Sequence, residues 1–182
     1  MLIDSEIVKK IQDHDRKVIL VLYQHTFNVL MGAAVRYKNN REDQMSIVNT
    51  AFMKIVTGIH QYKVGTAYFS WAKQIVNNTI IDDFRAAKNY KQLFDVDAQV
   101  ATFEESEYSA IDYDIEAEAL QTMLNSLPPA TKIVFNLYAI EGYSTKEISE
   151  QLEIGYETVK WHIKEARKRL RNQVIESQIA VK

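Results

Sequence analysis

Apolar residues recur at helical spacing through most of this chain, and the places where the spacing fails mark its joints. Val18 to Val35 carries no formal charge, which is the length at which a membrane span has to be weighed. Its polar residues are not scattered, however. At 100° per residue Lys17, Gln24, His25 and Asn28 share one arc, the pattern of an amphipathic helix whose other side meets a core. Asp13 or Asp15 can cap that helix, Lys38-Asn39-Asn40 closes it near Tyr37, and Ser5 is placed to cap a shorter one from Glu6 to Gln12. Ile47, Val48, Ala51, Phe52, Ile55, Val56 and Ile59 then fill one half of a wheel over residues 42–59. Gln61 to Ala67, which holds Gly65, interrupts the period as a loop, and a further helix is expected from Tyr68 to Asn89.

No period survives from Gln92 to Glu118. Beyond it Pro128-Pro129 fixes a helix start, Ile133, Val134, Leu137 and Ile140 carry the helix, and Gly142 ends it. Ser144 with Glu147 three residues on makes a capping box for a short helix to Leu152. The turn Glu153-Ile154-Gly155-Tyr156 leads into a long helix from about Glu157. Two helices joined in this way form a helix-turn-helix, whose second member is the natural reader of a DNA major groove.

Five Gly and two Pro in 182 residues are too few for an all-β chain, which needs turn residues every 8 to 12 positions or so. The fold class is therefore all-α, with two helical domains, residues 1–91 and 119–182, joined by an acidic linker over 92–118. Charge follows the same division: +5 in the first block, −9 in the second, where nine acids stand without a Lys or Arg, and +2 in the third. The acidic block reads either as a solvated tether or as a mimic of nucleic acid that lies in a basic channel of a partner. The chain has no Cys, which excludes disulfide scaffolds, thiolate zinc sites and cysteine nucleophiles. Met1-Leu2-Ile3-Asp4 puts an acid where a secretory signal has base, so the expected location is the cytoplasm.

The wheel of the last helix sharpens the DNA reading. Val159, Ile163, Ala166, Leu170 and Val174 form a narrow buried stripe, and on the adjoining arc, about 120° wide, stand Lys160, Trp161, Lys164, Arg167, Lys168 and Arg171. Such an arc can neutralise phosphates and reach guanine edges. A solvated cationic face would show the same residues, and Trp161 can equally pack on a neighbour.

The segment Leu127-Pro128, Val134-Phe135-Asn136-Leu137-Tyr138, Glu141-Gly142-Tyr143-Ser144, Lys146-Glu147-Ile148-Ser149, Thr158-Val159-Lys160 and Ala166-Arg167-Lys168-Arg169-Leu170 resembles the −35 domain of a bacterial RNA polymerase sigma factor, of the extracytoplasmic-function type in the sigma-70 family. Thr158 to Ile163 also resembles LuxR-type regulators, which bind DNA without polymerase and are the alternative reading. Trp71, Ile75, Asn78, Ile81, Asp82 and Arg85 match the spacing of the sigma helix that recognises the −10 element, and Glu42-Asp43 followed by Phe52 fits the preceding polymerase-binding helix. A LuxR regulator would carry a receiver or ligand-binding domain there. The resemblance covers about residues 10 to 90 and 119 to 172. It departs from the pattern at Ser46, Asn49 and Thr50, where an acid and a Gln-Glu pair are usual, and at Glu153 and Gly155, where Gly and a capping Ser are usual.

The resemblance implies a two-handed promoter contact. At −35 it draws on Thr158, Lys160, Trp161, Lys164, Arg167, Lys168 and Arg171, with Arg167 as the expected base reader. At −10 a melted base must be held by stacking and by hydrogen bonds to its edge; Tyr62, Lys63, Thr66, Tyr68 and Phe69 in and after the loop, and Asn77, Asn78 and Arg85 on the helix, are the candidates. Tyr62, Tyr68, Phe69 and Trp71 can also be ordinary core, and Asp82 can pair with Arg85. Asp43, Asn49, Thr50 and Met53 are the expected polymerase contacts. Core RNA polymerase and promoter DNA are the implied partners, with an anti-sigma factor as a further one. His14, His25, His60 and His162 lack ligand spacing, and no glycine motif cradles a phosphate, so no catalytic residue, metal, cofactor or small-molecule substrate is expected.

Overall fold

The computed structural model describes residues 3–87, 91–94 and 117–180. Among them are eight α-helices and no strand: α1 (Ser5–Gln12), α2 (Arg16–Tyr37), α3 (Arg41–Thr57), α4 (Tyr68–Ala86), α5 (Ala117–Asn125), α6 (Pro129–Ala139), α7 (Thr145–Gln151) and α8 (Tyr156–Ala180). Short 3-10 turns occupy Ile59–Gln61 and Lys91–Phe94. The chain divides into two compact units, the first ending at Ala87.

In the first unit α2, α3 and α4 pack on one another and α1 lies against α2 and α3. Leu22, Leu30, Val48, Ile55, Ala72 and Val76 are fully buried at their centre. α2 is long and apolar enough to cross a membrane, yet it is a core helix here. Its Thr26 hydroxyl donates to the Leu22 carbonyl at 2.7 Å and shares a hydrogen bond of 2.9 Å with the Tyr68 hydroxyl of α4, in the middle of the bundle. Burial pushes the Tyr68 phenol up to about 12. Lys17, Gln24, His25 and Asn28 are exposed as their arc requires; Leu20 and Val21 join them on the outside.

Helix starts follow local chemistry. Asp15 caps α2 by accepting from the amides of Lys17 and Val18. The first helix is capped by Asp4 and not by Ser5, because the Asp4 carboxylate accepts from the Ile7 amide at 2.8 Å and Ser5 already lies inside the helix. α3 ends at Gly58, where an added Cβ would stand 2.8 Å from the Lys54 carbonyl oxygen. Only glycine lets the chain turn there directly into the 3-10 segment.

In the second unit α6 and α7 pack on α8, and α5 lies against α8. Pro129 opens α6, Gly142 at φ +78 turns the chain out of it, and the Ser144–Glu147 capping box is complete. The Ser144 amide donates to the Glu147 carboxylate at 2.8 Å and the Glu147 amide donates back to the Ser144 hydroxyl at 3.2 Å. The Ser144 amide and, at 2.7 Å, the Ser144 hydroxyl donate to the Glu147 carboxylate and hold it below its usual range. Lys91–Phe94 also belongs to this unit, with Phe94 buried, so the first described residues of the expected linker are packed structure. The remainder of that segment up to residue 116 lies outside the described residues.

Candidate nucleic-acid interface

The second unit presents α7 and α8 as a helix-turn-helix packed on α6. Glu153 takes the left-handed conformation at φ 49 that favours glycine, and the Ser149 hydroxyl donates to the Ile154 carbonyl at 2.6 Å, locking the turn. Val159, Ala166, Ile163 and Val174 are buried and Leu170 half-buried, so the opposite side of α8 faces outward. Lys160, Arg167, Lys168 and Arg171 are exposed there; Thr158, Trp161 and Lys164 are half-buried. Lys160 lies 3.5 Å from Glu157 and 5.7 Å above the Tyr156 ring. The Arg167 guanidinium lies 5.6 Å from the centre of the Tyr138 ring on α6, a contact that steadies the plane of the guanidinium. Arg169, off the arc, pairs with Glu165 at 2.6 Å.

His162, an isolated histidine in the sequence, is an interior residue at 2 % exposure. Its Nδ1 lies 3.0 Å from the Thr131 hydroxyl on α6, and burial lowers its pKa to about 4 although nearby Glu165 works the other way. On the wheel it falls about 40° beyond Ala166, close enough to the buried stripe for that position to have signalled burial.

In the first unit the loop between α3 and α4 is closed by its own bonds. Thr66 donates its amide to the Lys63 carbonyl at 3.1 Å and its hydroxyl to the same oxygen at 2.7 Å, with Gly65 at φ +87 in the turn. The Tyr62 hydroxyl donates to the Thr66 carbonyl at 2.6 Å. Tyr62, Tyr68, Phe69 and Trp71 form a continuous aromatic cluster, with Tyr62 meeting Tyr68 at 5.8 Å and Trp71 at 5.4 Å between ring centres.

This arrangement corrects part of the expected −10 set. Tyr62, Tyr68 and Asn77 are 5, 1 and 4 % exposed; the two tyrosines are core and their hydroxyls are committed, so none of the three offers a surface to a base. Lys63, Thr66, Asn78 and Arg85 are exposed and Phe69 and Trp71 half-buried. Of these, Trp71 and Asn78 reach a cleft of about 640 Å³ bounded by α3, the following 3-10 turn and α4. Lys54, His60, Gln61, Trp71, Asn78 and Asp82 line it. Asp82 pairs across the cleft edge with Lys54 at 2.8 Å, and not with Arg85. Lys54, His60, Gln61 and Gln74 were missed in the sequence; the last stands at i, i+4 spacing with Asn78 and Asp82 along one exposed stripe of α4.

On α3, Asn49, Thr50 and Met53 are exposed, Met53 at 59 %, while Ile47, Val48, Ala51, Phe52 and Ile55 are buried. Asp43 is exposed but engaged in the start of its own helix: its amide donates to Asn40 Oδ1 at 2.8 Å and its carboxylate accepts from Asn40 Nδ2 at 2.7 Å. Among the described residues no three His, Asp or Glu side chains gather as a metal site would need.

Two family patterns match the chain, Sigma-70 region 2 over residues 22–90 and Sigma-70 region 4 over residues 117–170. The ECF RNA polymerase sigma-E factor of Haemophilus influenzae is 25 % identical over 190 residues, covering 95 % of this chain and 96 % of that protein. The RNA polymerase sigma-H factor of Pseudomonas aeruginosa is 26 % identical over 177 residues, covering 90 % of each. Among solved structures, the sigma factor RpoE of Bartonella quintana in complex with the anti-sigma factor NepR is 19 % identical with a TM-score of 0.49, over 90 % of this chain and 97 % of that one.

Proposed function

The chain belongs to the extracytoplasmic-function sigma factors of the sigma-70 family, the initiation factors that bring core RNA polymerase to a promoter, and from that premise we propose how its residues divide the work. α8 reads the −35 element. Its first turns, with Thr158, Lys160, Trp161 and Lys164, stand nearest the bases, as the start of a reader helix does; Arg167, Lys168 and Arg171 continue along the same arc. Arg167, whose guanidinium lies 5.6 Å from the centre of the Tyr138 ring, has the planar fork that matches a guanine edge.

The cleft beside α4 receives a melted −10 base. Within the cleft Trp71 supplies stacking surface and Asn78 offers both donor and acceptor, while Phe69, Lys63, Thr66 and Arg85, outside its lining, are the further proposed −10 contacts. α3 docks on polymerase through Asn49, Thr50 and Met53, with Asp43 at its start. The observation that carries this reading is the outward basic arc on a capped helix-turn-helix. The chain works in the cytoplasm without catalysis, cofactor or small-molecule substrate, and an anti-sigma factor is a further proposed partner. Run-off transcription with purified core polymerase on a genomic promoter library tests it. Promoter-specific transcripts that require this chain are expected; operator binding by the chain alone, with no transcripts, would make it a regulator of the LuxR-like kind.

A further inference from the structure

Three rings make a row across the reader helix. Phe94, buried at the end of the 3-10 turn and immediately before Asp95, stands almost perpendicular to His162, 5.4 Å apart at 87°. His162 in turn meets Trp161 at 4.8 Å and 83°. Thr131 engages His162 Nδ1, but Nε2 is buried with no hydrogen-bond partner. A buried ring with one nitrogen unsatisfied is held in place by packing alone on that side, and perpendicular aromatic contacts are what supply it. Trp161 lies at the edge of the basic arc, so whatever fixes His162 fixes that edge.

We propose that Phe94 is a positioning residue for −35 recognition: by covering His162 it sets the ring against which Trp161 rests, and so couples the segment entering the acidic run to the reader helix. The proposal rests on α8 being the −35 reader. Loss of Phe94 leaves His162 free to turn, Trp161 then loses its support, and the outer edge of the arc loses its register on the groove. Non-specific attraction to phosphates depends on the lysines and arginines and is unaffected.

The test uses the full chain with core polymerase on one promoter with its −35 element intact and on the same promoter with that element scrambled. Phe94→Ala is expected to lower the gain due to the −35 element by about fivefold to tenfold, the size of losing one or two aromatic contacts, and to leave transcription from the scrambled template unchanged. Phe94→Tyr restores the gain. Thr131→Val, which keeps the shape and removes the hydroxyl from His162, lowers it in the same direction. In the free chain carrying Trp71→Phe, Trp161 emission shifts to the red and becomes more open to acrylamide quenching when Phe94 is replaced by Ala. An unchanged −35 gain in Phe94→Ala, or a gain lost without any change at Trp161, overturns the proposal. The Arg167→Ala variant, which removes the proposed base reader, separates the two levels. If it loses the −35 gain while Phe94→Ala does not, only the coupling fails; if it keeps the gain, the assignment of α8 as reader fails.

Discussion

At the scale of single residues, Glu153 shows a strain the family pattern avoids. A non-glycine residue in the left-handed region costs about 1–2 kcal/mol, and glycine adds back about 0.5–1 kcal/mol of unfolded-state entropy. Glu153→Gly should therefore stabilise the second unit by about 0.5 kcal/mol, read as a rise in its unfolding midpoint. His162 sets a pH dependence. Its folded pKa near 4 lies below the ordinary 6.5, so between these values the unfolded chain binds the extra proton. The stability it confers is fully present above about pH 6.5 and is lost as pH falls toward 4, a change on the order of 2–3 kcal/mol. Denaturant titrations of the wild type should show that fall, and His162→Gln should flatten it even if its stability at neutral pH is lower.

At the scale of elements, the sequence was legible where chemistry is local. The Ser144–Glu147 box, Pro129 at the start of α6 and the stripe on α8 need only neighbours three or four residues away, and all stand as expected. Apart from the cap of α1, which falls on Asp4 and not on Ser5, what escaped depends on distant partners. Asp82 turned to Lys54, 28 residues earlier, in preference to Arg85 on its own helix. Tyr62 sits in a loop, where no period tells inside from outside, and it folded inward onto Trp71. Phe94, a single aromatic beside an acidic run, carried no pattern at all. For α8 itself, Lys168→Ala should weaken binding to every duplex alike and lower the salt slope by about one, whereas Arg167→Ala should relax preference at one base position at a cost of about 1–3 kcal/mol. Holoenzyme binding at several salt concentrations to matched and mismatched −35 duplexes distinguishes the two.

At the scale of the whole molecule, the two family patterns fall on separate compact units, as the break in hydrophobic period foretold, although the second unit begins earlier than the linker boundary expected from charge. On the proposed reading the first unit also holds polymerase. Because Ser46, Asn49 and Thr50 stand where the family usually has an acid and a Gln-Glu pair, the proposed docking surface would rely more on shape and apolar contact, with Met53 at its centre. Asn49→Lys with Thr50→Lys should cut the affinity for core polymerase by at least about tenfold through like-charge repulsion, seen in a pull-down or by competition with another sigma factor. Unchanged affinity would place the docking face elsewhere on the unit.

On the proposed −10 reading, the closed loop between α3 and α4 bears on speed as well as on recognition. Tyr62, Lys63 and Thr66 are already bonded into their turn in the free chain, so no backbone has to be ordered when a base arrives, and the entropy of ordering does not burden the opening step. Tyr62→Phe removes one of those bonds without removing the ring. Stopped-flow measurement of open-complex formation should then show a slower approach to the same final state for that variant: the loop would still reach its working shape, but only after searching for it on each encounter with the melted strand.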